Sequence, residues 1–258
     1  MKERKYSFVT LLIGLVLVVL GWVGARSFYA AQTRRMAFFG TDGVLEVEPM
    51  LKKYGSQPYS SRNVEEWLIR DFFQDRHNGV FLDVGANDYR KENNTYFLET
   101  HLGWSGVAID ALEEFASGYR EHRPRTQFFA LFVSDVAGST AQFYVPEKNK
   151  LVASASREFT EQEGSPGVAK TVPTTTLDAV LEKAGISRLD FVSMDIELSE
   201  PKALAGFDIE RFRPSLVCIE AHQEVRQRIL DYFARHHYTV VGRYLRSDPK
   251  NLYFEQLN

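Results

Sequence analysis

A single cysteine, Cys218, is all the chain has, so no internal disulfide can form and no paired-thiol zinc pattern exists; the fold must hold by packing. A surplus of charge of either sign is missing too, since 31 basic against 34 acidic side chains leave a net charge of −3 over 258 residues. That excludes a generally basic nucleic-acid binder, and nucleic acid is not an expected partner. Also missing are the three spaced glycines that cradle a pyrophosphate, because Ala86, Asp88 and Arg90 stand where further glycines are wanted after Gly85. Their absence disfavours a nicotinamide-dependent oxidoreductase.

What is present is enough apolar sequence, 44%, for one substantial core. Residues 6–25 carry no charge and are dominated by Leu, Val and Ile, matching the roughly 20 positions a helix needs to cross a bilayer. A secretory signal peptide competes, with Lys2, Arg4 and Lys5 at its basic end and Val23, Gly24 and Ala25 at its cleavage site. Signal cores usually run only about 7–15 apolar residues, so a membrane anchor is the adopted reading. Lys2, Arg4 and Lys5 on one flank are balanced by Arg26, Arg34 and Arg35 on the other, which leaves orientation open. The expected organisation is a tail over 1–5, a single-pass transmembrane helix over 6–25, a neck over 26–60 and a folded domain over 61–258.

Within that domain Asn63 and Glu66 have capping-box spacing, and Val64, Trp67, Leu68 and Phe72 follow at helical spacing until Gly79. Apolar strand-like runs lie at Val80 to Val84, Val107 to Asp110, Gln127 to Val133, Leu189 to Met194 and Leu216 to Ile219, alternating with helical sequence such as Thr95 to Leu102 and Leu177 to Ala184. This order predicts an α/β fold of Rossmann type, a mostly parallel sheet covered on both faces. After it comes a helix with Val225, Ile229, Tyr232 and Phe233 on one face; Tyr238 to Tyr244 and Asn251 to Phe254 then read as antiparallel edge strands. Trp67 and Trp104 read as core. The stretch from Lys148 to Lys170, rich in Ser, Glu, Lys and Gly, reads as a flexible insertion of the kind that is often functional.

The first strand delivers Gly85 and Asn87 into a turn, and the second ends in Asp110, an acidic group at the distance where ribose hydroxyls are held in open parallel sheets. A ribose-bearing cofactor without a pyrophosphate fits that pattern, and S-adenosylmethionine is the familiar one. Beyond this, the chain from about Val80 to Glu220 resembles the FkbM-type S-adenosylmethionine-dependent methyltransferases. The resemblance rests on ordered pieces: the run from Phe81 to Asn87, Val133-Ser134-Asp135 with Gly138 and Phe143, Thr176-Leu177-Asp178, and Leu189-Asp190-Phe191 leading into Asp195-Ile196-Glu197 with Glu200. Leu204, Gly206-Phe207-Asp208, Arg213-Pro214 and Ile219-Glu220 complete it. It implies a class I methyltransferase fold, with the donor near Asp83, Gly85, Asn87 and Asp110, its adenine edge near Ser134 and Asp135, and a hydroxyl oxygen as the usual acceptor. Met194 and Leu198 depart from the family pattern, which has lysine before the aspartate and glycine after the glutamate.

Methyl transfer to a hydroxyl needs alignment of donor and acceptor and a group to take the proton. Asp195 and Glu197, two apart at the end of the fourth strand, and His222 after the fifth are the candidates, with Glu200 and Glu220 toward the acceptor. Closely placed carboxylates raise one another's pKa. Oxygen ligands would suit magnesium or manganese, but no histidine lies close in sequence to Asp195, Glu197 and Glu200, and no metal site is expected. His236 and His237 close a helix, where they suit its negative end. The expected function is therefore a membrane-anchored O-methyltransferase that acts on a glycan, lipid or natural product and faces the cytoplasm, where the donor is held. Its rival is a non-catalytic anchored interaction protein that keeps the fold, motivated by Met194 and Leu198.

Overall fold

The computed structural model describes residues 64–147, 150–163, 166–245, 247–248 and 250–257, with short pieces at 22, 39–40, 43–44 and 53–54. Residues 6–25 lie outside this set except Trp22, which is helical and exposed. Among the described residues no helix is long and apolar enough to cross a membrane.

Helix α1 spans Glu65–Phe73, with Glu65 and Glu66 in its first turn, where the helix dipole favours them. It stops at Gln74, whose left-handed φ of 50° lets its N–H close on the Arg70 and Asp71 carbonyls. That is earlier than the expected end at Gly79. Asn63 lies outside the described residues, and Val64 occupies the cap position without a side-chain bond. Gly79 has another role, since any Cβ there would strike the Trp104 ring.

The central sheet is built from β1 (Val80–Val84), β2 (Ser105–Asp110), β3 (Thr126–Ala130), β7 (Phe191–Met194), β8 (Leu216–Glu220), β9 (Tyr238–Val240) and β10 (Asn251–Gln256), in the order β9-β10-β8-β7-β1-β2-β3. Pairings from β3 across to β8 are all parallel. β10 pairs antiparallel with both β8 and β9. The terminal strands thus differ in detail from expectation: β10 is inserted beside β8, and only β9 is an edge. The expected strand Tyr238 to Tyr244 is cut at Val240, after which Gly242–Tyr244 forms a 3₁₀ turn.

Successive strand residues point to opposite faces, and two cores result. Leu82, Val84, Val107 and Ile109 pack with α5 (Leu177–Lys183), α6 (Glu200–Ala205), α7 (Ile209–Phe212) and α8 (Gln223–Arg235). Phe81, Phe191, Leu216 and Cys218 pack on the other face with α1 and with α2 (Tyr96–Leu102). Trp67 and Trp104 are buried there, as expected. Tyr54, from the segment read as a neck, is buried in the same cluster under the Arg70 guanidinium.

The run from Gln127 to Val133 is not one strand. At Leu131 the chain turns: its N–H makes the last ladder bond to the Asp110 carbonyl and also meets the Phe129 carbonyl two residues back, and β4 (Phe132–Val133) joins a second, three-stranded sheet. That sheet pairs β4 parallel with β6 (Gly167–Thr175), which pairs antiparallel with β5 (Thr140–Pro146). The stretch expected as a flexible insertion carries regular structure where it is described: a 3₁₀ turn at Lys150–Val152, helix α4 (Arg157–Glu163) and the start of β6. Residues 148–149 and 164–165 lie outside the described set.

Candidate functional site

Strand order reverses between β1 and β7, so the loops leaving these two strands diverge and open a crevice at their carboxyl ends. After β1, Gly85 turns with φ +81°. A side chain there would run into the Asp195 carbonyl oxygen, so the glycine is needed for the approach of the neighbouring turn. The N–H groups of Gly85 and Ala86 then bond to the Ile109 carbonyl at 2.9 and 3.1 Å. Asp110 clamps the two turns together: its Oδ2 accepts from the Asn87 N–H at 3.0 Å and its Oδ1 from the Leu112 N–H at 2.8 Å. Burial raises the Asp110 pKa to about 6 against the opposing effect of these two N–H groups.

A crevice enclosing about 520 Å³ of empty space, the open solvent at its mouth included, lies over this clamp. Gly85, Asn87 and Asp110 line it, and so do Asp195 and Glu197 from the turn after β7. The rest of its wall is largely apolar, with Leu112, Phe115, Phe132 and Val133 among the lining residues. Lys150, Leu151 and Ala153 reach it from the expected insertion. Sequence reasoning missed this apolar wall, because Phe115 and Phe132 carry no mark that separates them from core aromatics. The one available signal was the length of the stretch containing Lys150 and Leu151.

Three residues expected at the cofactor are not in the cavity wall. Asp83 is buried beneath it and accepts from Thr95 Oγ1 at 2.8 Å and Asn93 Nδ2 at 3.3 Å. Burial pushes its pKa up to about 6, opposed by Thr95, Arg123 and Asn93. Because Asn93 Nδ2 also donates to the Ala86 carbonyl at 3.0 Å, Asp83 supports the turn from below. Arg123, wholly buried, ties Asn93 and Thr95 to Glu99 in the same network. Ser134 is buried with its N–H on the Thr175 carbonyl and its hydroxyl on exposed Asp135. Phe132 and Val133 of β4 line the cavity, while Ser134, the next residue, does not.

The acidic residues are brought together, and His222 with them. Asp195 continues the sheet by donating its N–H to the Val84 carbonyl at 2.9 Å. Glu197 and Leu198 then take φ values of 50° and 74°, a region that favours glycine. Leu198 therefore occupies the left-handed site where the resembled family has glycine, and its side chain packs partly on the core. Met194 is core. His222 Nε2 lies 3.1 Å from Glu197 Oε2 and 2.9 Å from Glu220 Oε2.

Burial first, and then the neighbouring Glu220, hold the Asp195 carboxyl well above the usual range. Burial, then Asp195 and Glu220, push Glu197 up to about 10. Glu220 is raised by its burial. Glu200, also buried, is raised to about 7 and accepts from the Ile196 N–H at 3.1 Å. Glu200, Glu220 and His222 stand behind the cavity wall, so among this group only Asp195 and Glu197 meet a ligand in the cavity directly. His236 is apart from the site and pairs with Glu210 at 2.9 Å.

The sequence model of the methyltransferase FkbM domain matches residues 83–240. No curated protein matches. Among solved structures, an O-methyltransferase from Bacillus cereus in complex with SAH is similar at 12% identity and a TM-score of 0.44, covering 82% of this chain and 90% of that one. A putative rRNA methylase from Clostridium thermocellum is similar at 9% identity and a TM-score of 0.42, covering 74% and 94%. A precorrin-6y C5,15-methyltransferase from Geobacter metallireducens is similar at 9% identity and a TM-score of 0.39, covering 68% and 71%.

Proposed function

The chain belongs to the FkbM methyltransferase domain family, and from that premise we propose that it methylates a hydroxyl oxygen on a glycan, lipid or natural product while anchored to a membrane through residues 6–25. The cofactor is S-adenosylmethionine, which when bound supplies an electrophilic methyl group for in-line displacement by the acceptor. The cavity residues suit it. Each Asp110 oxygen has one backbone N–H and keeps a further lone pair for a ribose hydroxyl. Leu112, Phe115, Phe132 and Val133 provide apolar contact for a flat base and exclude water.

One observation carries the reading: the wall that contains Asp110 and Asn87 also contains Asp195 and Glu197. Donor-holding and proton-taking groups therefore serve one cavity. Asp195 and Glu197 are the groups that take the acceptor's proton, with His222 behind Glu197 as its hydrogen-bond partner. A positive charge brought into the cavity draws their raised pKa values down toward ionisation. The membrane assignment is supported by the charge-free run at 6–25, and the cytoplasmic orientation by the location of the donor.

The test is incubation of the full chain with methyl-labelled donor and a membrane extract. The expected product is a label in alkali-stable ether linkage on a lipid or glycan. Label confined to base-labile esters or to nucleic acid contradicts the reading.

A further inference from the structure

At the cavity wall and just outside its lining, Glu197, Glu220 and His222 each offer one ligand atom, and these atoms lie within 4.8 Å of one another. Three separate elements deliver them: the turn after β7, the end of β8 and the residue that precedes α8. A single imidazole nitrogen, His222 Nε2, faces two carboxylate oxygens, Glu197 Oε2 at 3.1 Å and Glu220 Oε2 at 2.9 Å. It carries at most one proton. Its hydrogen bond goes to Glu197, and among the described residues Glu220 Oε2, on a side chain only 5% exposed, receives no N–H or hydroxyl donor in hydrogen-bond geometry.

A buried carboxylate oxygen without a partner is costly, and in a native site it calls for an explanation. Here it points at two other ligand atoms. The local charge leads the same way, because among the described residues four carboxyl groups, Asp195, Glu197, Glu200 and Glu220, are set against His222, Lys250 and Arg228. The Lys250 ammonium is largely exposed and stands 3.9 Å from Glu220.

We propose that Glu197, Glu220 and His222 bind one divalent first-row cation, of which Mn²⁺ is the best-suited probe. Carboxylates favour Mg²⁺ and Mn²⁺, and an imidazole ligand shifts that choice toward the first-row metals. The ligands are supported from outside: Ser154 Oγ donates to the Glu197 carbonyl at 2.7 Å, and the Phe159 ring on α4 sets its edge against His222 at 5.2 Å. His222 keeps 29% of its side chain exposed, which provides an entry path.

The cation's role, though not the site itself, rests on the methyltransferase reading. Glu197 is the one ligand that also lines the cavity, so the cation stands beside the acceptor and stabilises negative charge on its oxygen. Where the cation is bound, Glu197 serves as its ligand and Asp195, which lines the cavity without being needed as a ligand, takes the proton; without the cation both carboxylates are open to that role.

Titration of the full, chelator-stripped chain with MnCl₂, followed by loss of the free-ion electron paramagnetic resonance signal, tests the site. One Mn²⁺ per chain is expected. Glu220→Gln and His222→Ala, each checked for an unchanged circular dichroism spectrum, are expected to weaken binding at least about tenfold. Should either variant fail to fold, Glu220→Asp replaces it, with a smaller loss expected. No stoichiometric Mn²⁺ on the wild-type chain, or equal binding by folded variants, overturns the proposal. Calorimetry with S-adenosylhomocysteine on the same sample separates the two readings: Mn²⁺ binding without the nucleoside sinks the methyltransferase assignment alone, and the reverse sinks the cation site alone.

Discussion

Both oxygens of Asp110 accept a backbone hydrogen bond from the chain, one from Asn87 and one from Leu112. Its carboxylate is therefore oriented before a ligand arrives, at little further entropic cost. Glu197 is placed differently, in a left-handed turn held by Ser154 and His222. Glutamine at 197 keeps the shape and the contact with His222 but cannot take up a proton. Glu197→Gln is expected to lower turnover by about 100-fold or more, with the affinity for S-adenosylhomocysteine unchanged, as steady-state kinetics and calorimetry on one preparation would report. Equal loss in both would show that Glu197 belongs to the donor side.

At the scale of elements, the sequence was most legible where apolar runs are short and flanked by turn residues. β1, β2, β7 and β8 fall where Val80 to Val84, Val107 to Asp110, Leu189 to Met194 and Leu216 to Ile219 place them, and α8 buries the four side chains its spacing singles out. β6 was illegible because most of it is exposed: its ladder bonds go to β5, while Val172, Thr174 and Thr175 supply its buried side chains. Periodicity reports burial, and a strand held by backbone pairing gives little of it. The break at Leu131 comes where the chain leaves its pairing with β2 for pairing with β6, a change of partner no local pattern encodes. The site divides the same way. Asp110, Asn87, Asp195 and Glu197 were legible because they end strands beside the switch point. Asp83 lies beneath the cavity wall because strand alternation turns it from the face of Leu82 and Val84 toward Thr95 and Asn93. His222 reaches Glu197 across 25 positions of chain because β7 and β8 are neighbours in the sheet.

For the molecule as a whole, buried acids make folding sensitive to pH in a stated direction. Asp83 is 4% exposed and rises from 3.8 to about 6 on folding, so the folded state binds the proton more tightly than the unfolded chain. Its contribution is fully present below about pH 4 and is lost as pH rises through about 6, a loss of roughly 3 kcal/mol. Asp83→Asn removes the titration and keeps an acceptor for Thr95. Urea unfolding is therefore expected to show the variant gaining on the wild type between pH 4 and pH 7, and a pH-independent difference would contradict the buried-proton account. The same sheet that buries Asp83 opens the cavity above it, and the central claim is that this cavity holds the nucleoside of the methyl donor against Asp110. Calorimetric titration of the wild-type chain and Asp110→Ala with S-adenosylhomocysteine tests it most directly. The account expects one molecule bound per wild-type chain and at least about tenfold weaker binding to the variant; no binding to the wild type, or equal binding to both, would contradict it.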